Sequence, residues 1–227
     1  MRLTLHGILL GMRRLIPVSL FVIPFGTAFG IAAIEAGLDP VQATLASAFV
    51  FTATAQFAAL DFLTEPVAFV SLALVVLALS SRHIVMSAAL STWVNRLPKS
   101  KRFLVLATLS DANFADALPD LQGGQDDLGR LFGGGVMLWV TWVASTAVGA
   151  FGGNILGDTD AYGFSVVMIC FFAATVAGQV QSRTRLLVPV LVAMGIAVLT
   201  LPVLPTGWNI ILAALAGGAV SAWLHAE

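Results

Sequence analysis

Long apolar segments, separated by short polar loops, follow one another along the chain. Most of them have the ~20 residues that a helix needs to cross a bilayer. The short loops between them favour one compact bundle. We therefore predict an all-α, polytopic membrane bundle of seven or eight apolar segments, at residues 15–36, 41–60, 67–94, 103–118, 131–151, 162–181, 186–204 and 208–224.

The first of these segments is interrupted near its centre. Pro24-Phe25-Gly26 lies at mid-length, and Gly30 follows one turn later. Proline and glycine are the poorest helix formers, so this pattern predicts a helix broken at half depth in the membrane. Unpaired backbone at that depth is tolerated only beside protein or a water-lined cavity, and it is typical of transporter binding sites.

Basic residues predict the orientation of the chain, because loops rich in Lys and Arg stay in the cytoplasm. Arg2, Arg13 and Arg14 place residues 1–14 there and leave residues 15–227 as a single membrane transport domain. The basic loop 96–102 lies on the cytoplasmic side only if one of the first three segments is re-entrant, entering and leaving the membrane on the same side. The first segment, being broken, is the best candidate, so we expect seven or fewer true crossings.

The fourth segment, 103–118, is short and carries Asp111, Asn113 and Asp116. It can be a half-helix, a re-entrant element or a buried span. Asp111 and Asn113 are about 200° apart on a helix and cannot share one face. Either the helix is broken there or only one of the two faces a cavity.

A weak internal repeat divides the chain into halves at residues 11–118 and 129–227. Thr27-Ala28-Phe29-Gly30 precedes Asp39, and Thr146-Ala147-Val148-Gly149 precedes Asp158 at the same spacing, each followed by a segment that ends near a glutamine, Gln56 or Gln179. Duplicated halves with substrate between them are common in secondary transporters. The alternative is a chance match in a chain rich in Ala and Gly, whose small residues at four-residue spacing also suit close helix packing.

Composition supports a membrane protein, since 59% of the residues are hydrophobic and only 10% are charged. A soluble domain carries roughly 25% charged residues. The single cysteine, Cys170, excludes a disulfide framework or a thiolate metal site within one chain. The sequence indicates no cofactor, no metal, no nucleic-acid surface, no signal peptide and no lipid anchor.

Arg82 is the strongest chemical signal, because an arginine near the centre of an apolar helix costs ~2.5–3.5 kcal/mol and is functional by default. Its planar donors match a carboxylate. The alternatives are a structural pair with Asp111 or Asp116 and snorkelling to the surface. His83 can carry a coupling proton or be simply hydrogen-bonded. Gln56 is predicted to face inward, since its amide is costly to expose to lipid.

Four stretches resemble the AzlC family, the large subunit of branched-chain amino acid exporters. They are Pro24-Phe25-Gly26-x-x-Phe29-Gly30-x-x-Ala33-x-x-x-Gly37-Leu38, then Phe51 and Gln56-Phe57, then Arg82-His83 with Ser87-Ala88, and then Leu109-Ser110-Asp111 with Phe114-Ala115. The likeness covers Gly11 to about Ala117. Three positions depart from the family pattern: Ala53 replaces a glycine, a serine before Arg82-His83 replaces an asparagine, and Ala112 replaces a glutamate that could carry the coupling proton.

The resemblance implies a multi-pass protein of the bacterial inner membrane that exports neutral, mainly branched-chain amino acids, with ion coupling and a small hydrophobic AzlD-type subunit. The expected substrate-binding residues are Pro24, Phe25, Gly26, Phe29, Gly30, Thr54, Gln56 and Arg82, and the candidate coupling residues are His83, Asp111 and Asn113. The alternatives are another small amino or organic acid as substrate, or a subunit that does not itself transport. An intramembrane enzyme is disfavoured, because no nucleophile–base or metal set converges in the sequence.

Overall fold

A computed structural model describes residues 1–60, 62–63, 69–156, 187–204 and 208–225. The described residues form helices and loops, with no strand beyond one isolated bridge between Arg2 and Asp127. The all-α prediction is therefore confirmed for this part of the chain. The helices are α1 (Leu5–Glu35), α2 (Pro40–Phe49), α3 (Ala53–Leu60), α4 (Phe69–Ala89), α5 (Ser91–Val94), α6 (Lys99–Ala107), α7 (Asp111–Gln122), α8 (Gly129–Leu156), α9 (Leu187–Thr200) and α10 (Trp208–His225).

Three helices in the described ranges are long and apolar enough to cross a membrane, namely α1, α4 and residues Gly129–Gly152 of α8. Helix α9 and residues Leu212–Leu224 of α10 are shorter and apolar. The predicted sixth segment, 162–181, lies outside the described residues together with Cys170, Asp158 and Gln179. The count of seven or eight segments and the internal repeat therefore stay predictions.

The chain divides into two compact units. The first contains Met1–Gln56 and Ser80–Leu156, and the second contains Phe57–Leu79 and Gly157–Glu227. These units do not coincide with the predicted halves 11–118 and 129–227. In the second unit α9 packs on α10, where a Cβ on Gly217 would lie 3.1 Å from the Pro189 carbonyl oxygen.

Helix α1 is continuous, so the predicted break at Pro24-Phe25-Gly26 is wrong. A proline removes only one backbone hydrogen bond directly, and hydroxyl groups or neighbouring helices stabilise such sites in apolar helices. Here α8 packs along this part of α1, where a Cβ on Gly26 would overlap Ser145 Oγ. The helix also begins at Leu5, behind the N-cap Thr4, so the predicted boundary at residue 14 lies inside an element.

The second apolar segment, in contrast, is broken. Helix α2 starts with a capping box between Asp39 and Gln42 and ends at Phe49, and α3 starts at Ala53. Val50 between them has φ −112° and ψ 80°, and the Thr52 N–H donates to the Val50 carbonyl at 2.8 Å. No proline or glycine marks this break. The run Val50-Phe51-Thr52 consists of β-branched and aromatic residues, which have low helix propensity.

Glycines let α1 and α8 run parallel with their backbones in contact. A Cβ on Gly30 would overlap the Thr146 carbonyl oxygen, and a Cβ on Gly149 would overlap the Thr27 carbonyl oxygen. The same reciprocity recurs nearer the N-termini, where Gly11 meets Arg130 and Gly133 meets Ile8. The hydrophobic effect does not drive helices together in lipid. Small residues instead allow the close van der Waals packing that holds the helices together. The packing role assigned to Gly26, Gly30 and Gly149 is confirmed.

The starts of α1 and α8 are tied together by hydrogen bonds. The Arg2 N–H donates to the Asp126 carbonyl at 2.8 Å, and the Leu128 N–H donates to the Arg2 carbonyl at 3.0 Å. The Asp127 carboxylate accepts from the Thr4 N–H at 3.1 Å and from the Gly129 N–H at 2.8 Å. Burial alone would raise the pKa of Asp127, but bonds from the Thr4 side chain and from these two N–H groups hold it below its ordinary value.

The predicted fourth segment is also divided, between the end of α6 and α7. Residues from α4 to the start of α8 build a small apolar core around this division; its fully buried members include Leu90, Val105, Leu128 and Leu131. Helix α7 begins with a capping box in which Ser110 and Asn113 bond each other. This core fixes where Asp111 and Arg130, described below, are placed.

Candidate functional site

A buried chain of hydrogen bonds connects the broken second segment to α8. Gln56 Nε2 of α3 donates to Ser47 Oγ of α2 at 3.1 Å, and that hydroxyl lies 2.8 Å from Thr146 Oγ1 of α8. Trp142 Nε1 donates to Gln56 Oε1 at 2.8 Å. Gln56 is 4% exposed, and its inward orientation is confirmed. Gln56 is thus bonded through both Nε2 and Oε1, which holds the buried amide in one geometry.

Phe29 brings α1 to this network. Its ring stacks on that of Trp142, with centroids 6.1 Å apart and planes at 25°. Nearby on α1, Gly26 and Gly30 are occupied by packing against α8, while Phe25 is half-buried and Pro24 is exposed. Phe29 therefore contacts the network through its ring, while Gly26 and Gly30 meet the backbone of Trp142 and Thr146.

Arg82 of α4 lies where two other helices begin. Its Nη1 is 2.9 Å from Asp111 Oδ2, at the first residue of α7, and its Nη2 donates to Thr54 Oγ1 in the first turn of α3 at 3.3 Å. Arg82 Nε is buried and has no hydrogen-bond partner among the described residues. Helix N-termini carry partial positive charge, so this corner of the unit attracts anions.

The ion pair is open to its surroundings, since the side chain of Arg82 is 41% exposed and that of Asp111 is 60% exposed. Asp111 and Asp116 were the two predicted partners of Arg82, and Asp111 is the one that contacts it, at 2.9 Å. Of the five N–H donors of the guanidinium, the contacts with Asp111 and Thr54 use one on Nη1 and one on Nη2, and Nε is buried. A second carboxylate can therefore approach the same guanidinium.

Thr54 and Gln56 are two residues apart and therefore about 200° apart around α3. Consistent with this, Thr54 faces Arg82 while Gln56 faces Trp142. The predicted substrate-binding residues thus form two neighbouring groups on different sides of α3. One group is buried and hydrogen-bonded to α2 and α8, and the other is charged and accessible.

The remaining candidate coupling residues have local partners. His83 Nδ1 lies 3.2 Å from the Ser80 carbonyl oxygen. Asn113 is 1% exposed, and its amide donates to the carbonyls of Thr108 at 2.9 Å and Leu131 at 3.0 Å. Its oxygen accepts from the Ser110 N–H at 2.7 Å. This side chain caps α7 and holds it against α8, and its donors are fully used.

A second charged cluster was not predicted from the sequence. Arg130, 8% exposed at the start of α8, binds Asp116 through Nε and Nη2 at 2.8 Å each and also contacts Asp120. Arg14 lies 3.9 Å from Asp116. Ser47, Trp142 and Thr146 were also missed. The signal for Trp142 was its indole N–H within an apolar helix, which requires an acceptor somewhere in the fold.

Among the described residues, no three His, Cys, Asp or Glu side chains gather in a way that could hold a metal ion.

Comparison with known proteins agrees with a membrane role. A family model described as AzlC protein matches residues 17–156, more than half of the chain. The inner membrane protein YgaZ of Escherichia coli (strain K12) is 27% identical over 224 residues, which cover 95% of this chain and 89% of that protein. No solved structure matches the chain. The matched region contains both residue groups around α3.

Proposed function

Since the chain belongs to the AzlC family, we propose that it is a multi-pass inner-membrane transporter that exports neutral, mainly branched-chain amino acids. Its relationship to an inner membrane protein over nearly the whole chain supports the membrane assignment. In this proposal a small hydrophobic AzlD-type subunit, encoded as a separate chain, completes the transporter, and an ion gradient drives export.

The observation that carries the proposal is the environment of Arg82. Its guanidinium lies beside the first turn of α3, contacts one exposed carboxylate and retains an unpartnered Nε among the described residues. An amino acid offers a carboxylate that can bind this guanidinium bidentately. It also offers an ammonium group that can take Asp111 as its acceptor.

Asp111 then acts as an internal substitute for the substrate carboxylate. In the empty site it neutralises Arg82, and the arriving carboxylate displaces it. The released Asp111 is free to bind the substrate ammonium or a proton. The chain has Ala112 where the family has a glutamate, so Asp111 is the acid available at this position for ion coupling.

The structure also changes which segment we propose to be re-entrant. Helix α1 has 31 residues and is about 46 Å long, which is enough to cross a bilayer core of about 30 Å. Helices α2 and α3, with 10 and 8 residues, are each too short to cross alone. A re-entrant α2–α3 pair leaves an even number of crossings before the basic loop 96–102 and keeps that loop cytoplasmic with the N-terminus.

Cysteine labelling tests this topology. Single cysteines at Pro98 and Asp39, in a background lacking Cys170, are treated with a membrane-impermeant thiol reagent on intact cells. We expect labelling at position 39 and none at position 98 until the cells are opened. Labelling at position 98 from outside would contradict the re-entrant pair.

Export is tested with cells that overproduce the chain and its partner and are preloaded with a panel of amino acids. We expect faster release of leucine, isoleucine and valine than of charged amino acids. Arg82→Ala should weaken apparent affinity roughly thirty-fold or more, because one member of a charge-assisted pair is lost. Arg82→Lys should also fail, since a point charge cannot replace the planar fork.

Arg96→Ala is the matched control, because Arg96 is exposed and forms no salt bridge among the described residues. Normal flux in a folded Arg82→Ala protein would reassign Arg82 to structure. Unchanged release of every amino acid, with the protein shown to be in the membrane, would leave the chain as a non-transporting subunit. Asp111→Asn should lower turnover, because it removes the carboxylate proposed to take up the substrate ammonium or the coupled proton.

A further inference from the structure

Helix α6 presents one face that is basic at its start and apolar along the rest. Lys99, Arg102, Phe103, Leu106 and Ala107 line a shallow depression of about 400 Å³ on this face. Their spacing of three or four residues places them on one side of the helix, over a length of about 12 Å. The opposite side is anchored in the protein by Val105, which is fully buried.

The charges on α6 stand where a helix least favours them. Lys99, Lys101 and Arg102 lie in its first turns, at the positive end of the helix dipole, and the first turn contains no acidic residue. Arg96 adds a fourth cation just before the helix. None of these four residues forms a salt bridge within the described chain. Their mutual repulsion is therefore uncompensated by the protein, and an external anion would relieve it.

Arg102 is held in place to receive such an anion. Its Nη2 donates to the Asn95 carbonyl at 2.9 Å, which fixes the guanidinium. The apolar part of the helix surface is exposed as well, with Phe103 at 72% and Leu104 at 52%. A basic helix with an exposed apolar side is typical of segments that lie in a membrane interface.

We infer that α6 binds an anionic phospholipid, with the headgroup phosphate beside Lys99 and Arg102 and an acyl chain along Phe103, Leu106 and Ala107. A free phosphate satisfies the cations alone, whereas a phospholipid also covers the apolar part of the face. Basic segments beside the cytoplasmic leaflet attract anionic lipids through the same forces. This site is separate from the Arg82 group, which lies at the starts of α3 and α7.

The experiment is a lipid titration of the purified chain in detergent, followed by native mass spectrometry. Phosphatidylglycerol and phosphatidylcholine with identical acyl chains are compared, and we expect preferential binding of phosphatidylglycerol. Lys99→Gln with Arg102→Gln should weaken that binding roughly twenty-five-fold, because each surface cation near an anionic lipid contributes about five-fold. Lys99→Arg with Arg102→Lys should preserve it.

Arg2→Gln with Arg13→Gln is the matched control, since it removes two exposed charges elsewhere. Phe103→Gln separates lipid from free phosphate: it should weaken binding of the lipid while leaving competition by inorganic phosphate unchanged. Equal binding of the two lipids would overturn the inference. So would an equal loss in the control pair, an unchanged Gln pair, or full displacement of the lipid by millimolar phosphate with no effect of Phe103→Gln.

Discussion

Helix α1 and the α2–α3 pair both pack on α8, but through different contacts. Helix α1 meets α8 backbone to backbone at glycines, such as Gly30 against Thr146 and Gly149 against Thr27. The α2–α3 pair meets α8 through polar side chains, namely Ser47 and Gln56 with Thr146 and Trp142. The first interface tolerates no added atom, and the second tolerates no lost hydrogen bond. The two kinds of packing therefore fail under opposite substitutions.

The largest effect should come from filling the glycine interface. Gly30→Val places a branched side chain where even a Cβ would overlap the Thr146 carbonyl and lie 2.7 Å from the Ala150 nitrogen. Overpacking of this kind costs typically about 1–3 kcal/mol and more when backbone must move. We expect a clearly lower melting temperature in detergent. Gly152→Ala is the control on α8, since none of the described residues lies within 4 Å of a Cβ there. An equal loss of stability in that variant would contradict this explanation.

Removing the amide of Gln56 should have the next largest effect. Gln56→Leu leaves the Trp142 indole N–H without its 2.8 Å acceptor in a buried site, at an expected cost of about 1–3 kcal/mol. Replacing both partners, as Gln56→Leu with Trp142→Phe, should recover part of this stability. Melting temperatures of the two single variants and the double variant measure the coupling. Strictly additive losses would show that this hydrogen bond does not hold α3 to α8.

The tie between the helix starts sharpens the comparison, because it sets the register of α1 along α8. Asp127→Ala removes the acceptor of the Thr4 and Gly129 N–H groups and should cost about 0.5–2 kcal/mol at neutral pH, as lost caps do. Since the pKa of Asp127 is lowered by folding, its contribution is complete above the unfolded pKa near 3.8 and disappears as the pH falls through the folded value.

Melting curves between pH 7 and pH 3 check this dependence. The difference between the parent and Asp127→Ala should be constant down to about pH 4 and shrink below it. A difference that grows as the pH falls would have the wrong sign for a carboxylate stabilised in its charged form.

The smallest effect is expected at Pro24. Because α1 is continuous, Pro24→Ala restores one backbone hydrogen bond and should change stability by less than about 1 kcal/mol, with flux retained. Filling the real break with helix formers, as Val50→Ala with Thr52→Ala, should lower flux more. Transport assays on the two variants decide between them. A larger loss from Pro24→Ala would return the functional break to the first segment.

Sequence predicted the helical class, the packing role of the glycines, the inward orientation of Gln56 and, as one alternative, the pair of Arg82 with Asp111. It located the helix break one segment too early. Proline and glycine are local signals, but in this unit Gly26 and Gly30 serve an interhelical contact with α8, which only the folded chain reveals. The break at Val50 to Thr52 contains no proline or glycine. It depends on the contacts that α2 and α3 make with α8.

The partners of Gln56 were equally hidden. Trp142 is 86 residues away from it, and no local spacing connects the two. Arg130 was overlooked because it directly precedes an apolar segment and reads as a flanking charge. Its bidentate pair with Asp116 becomes visible only when α7 folds back against α8.

The bond between Thr4 and Asp127 joins residues 123 positions apart, and this distance has a consequence for biosynthesis. At translation rates of about 5–20 residues per second, α1 is complete for roughly 5–19 s before the start of α8 is made. During that interval its glycine face has no partner from this chain. Until α8 is synthesised, the glycine face of α1 must therefore contact lipid, the insertion machinery or another subunit. A ribosome stalled before residue 127 should leave α1 inserted and accessible to protease or crosslinker, and release of the stall should protect it.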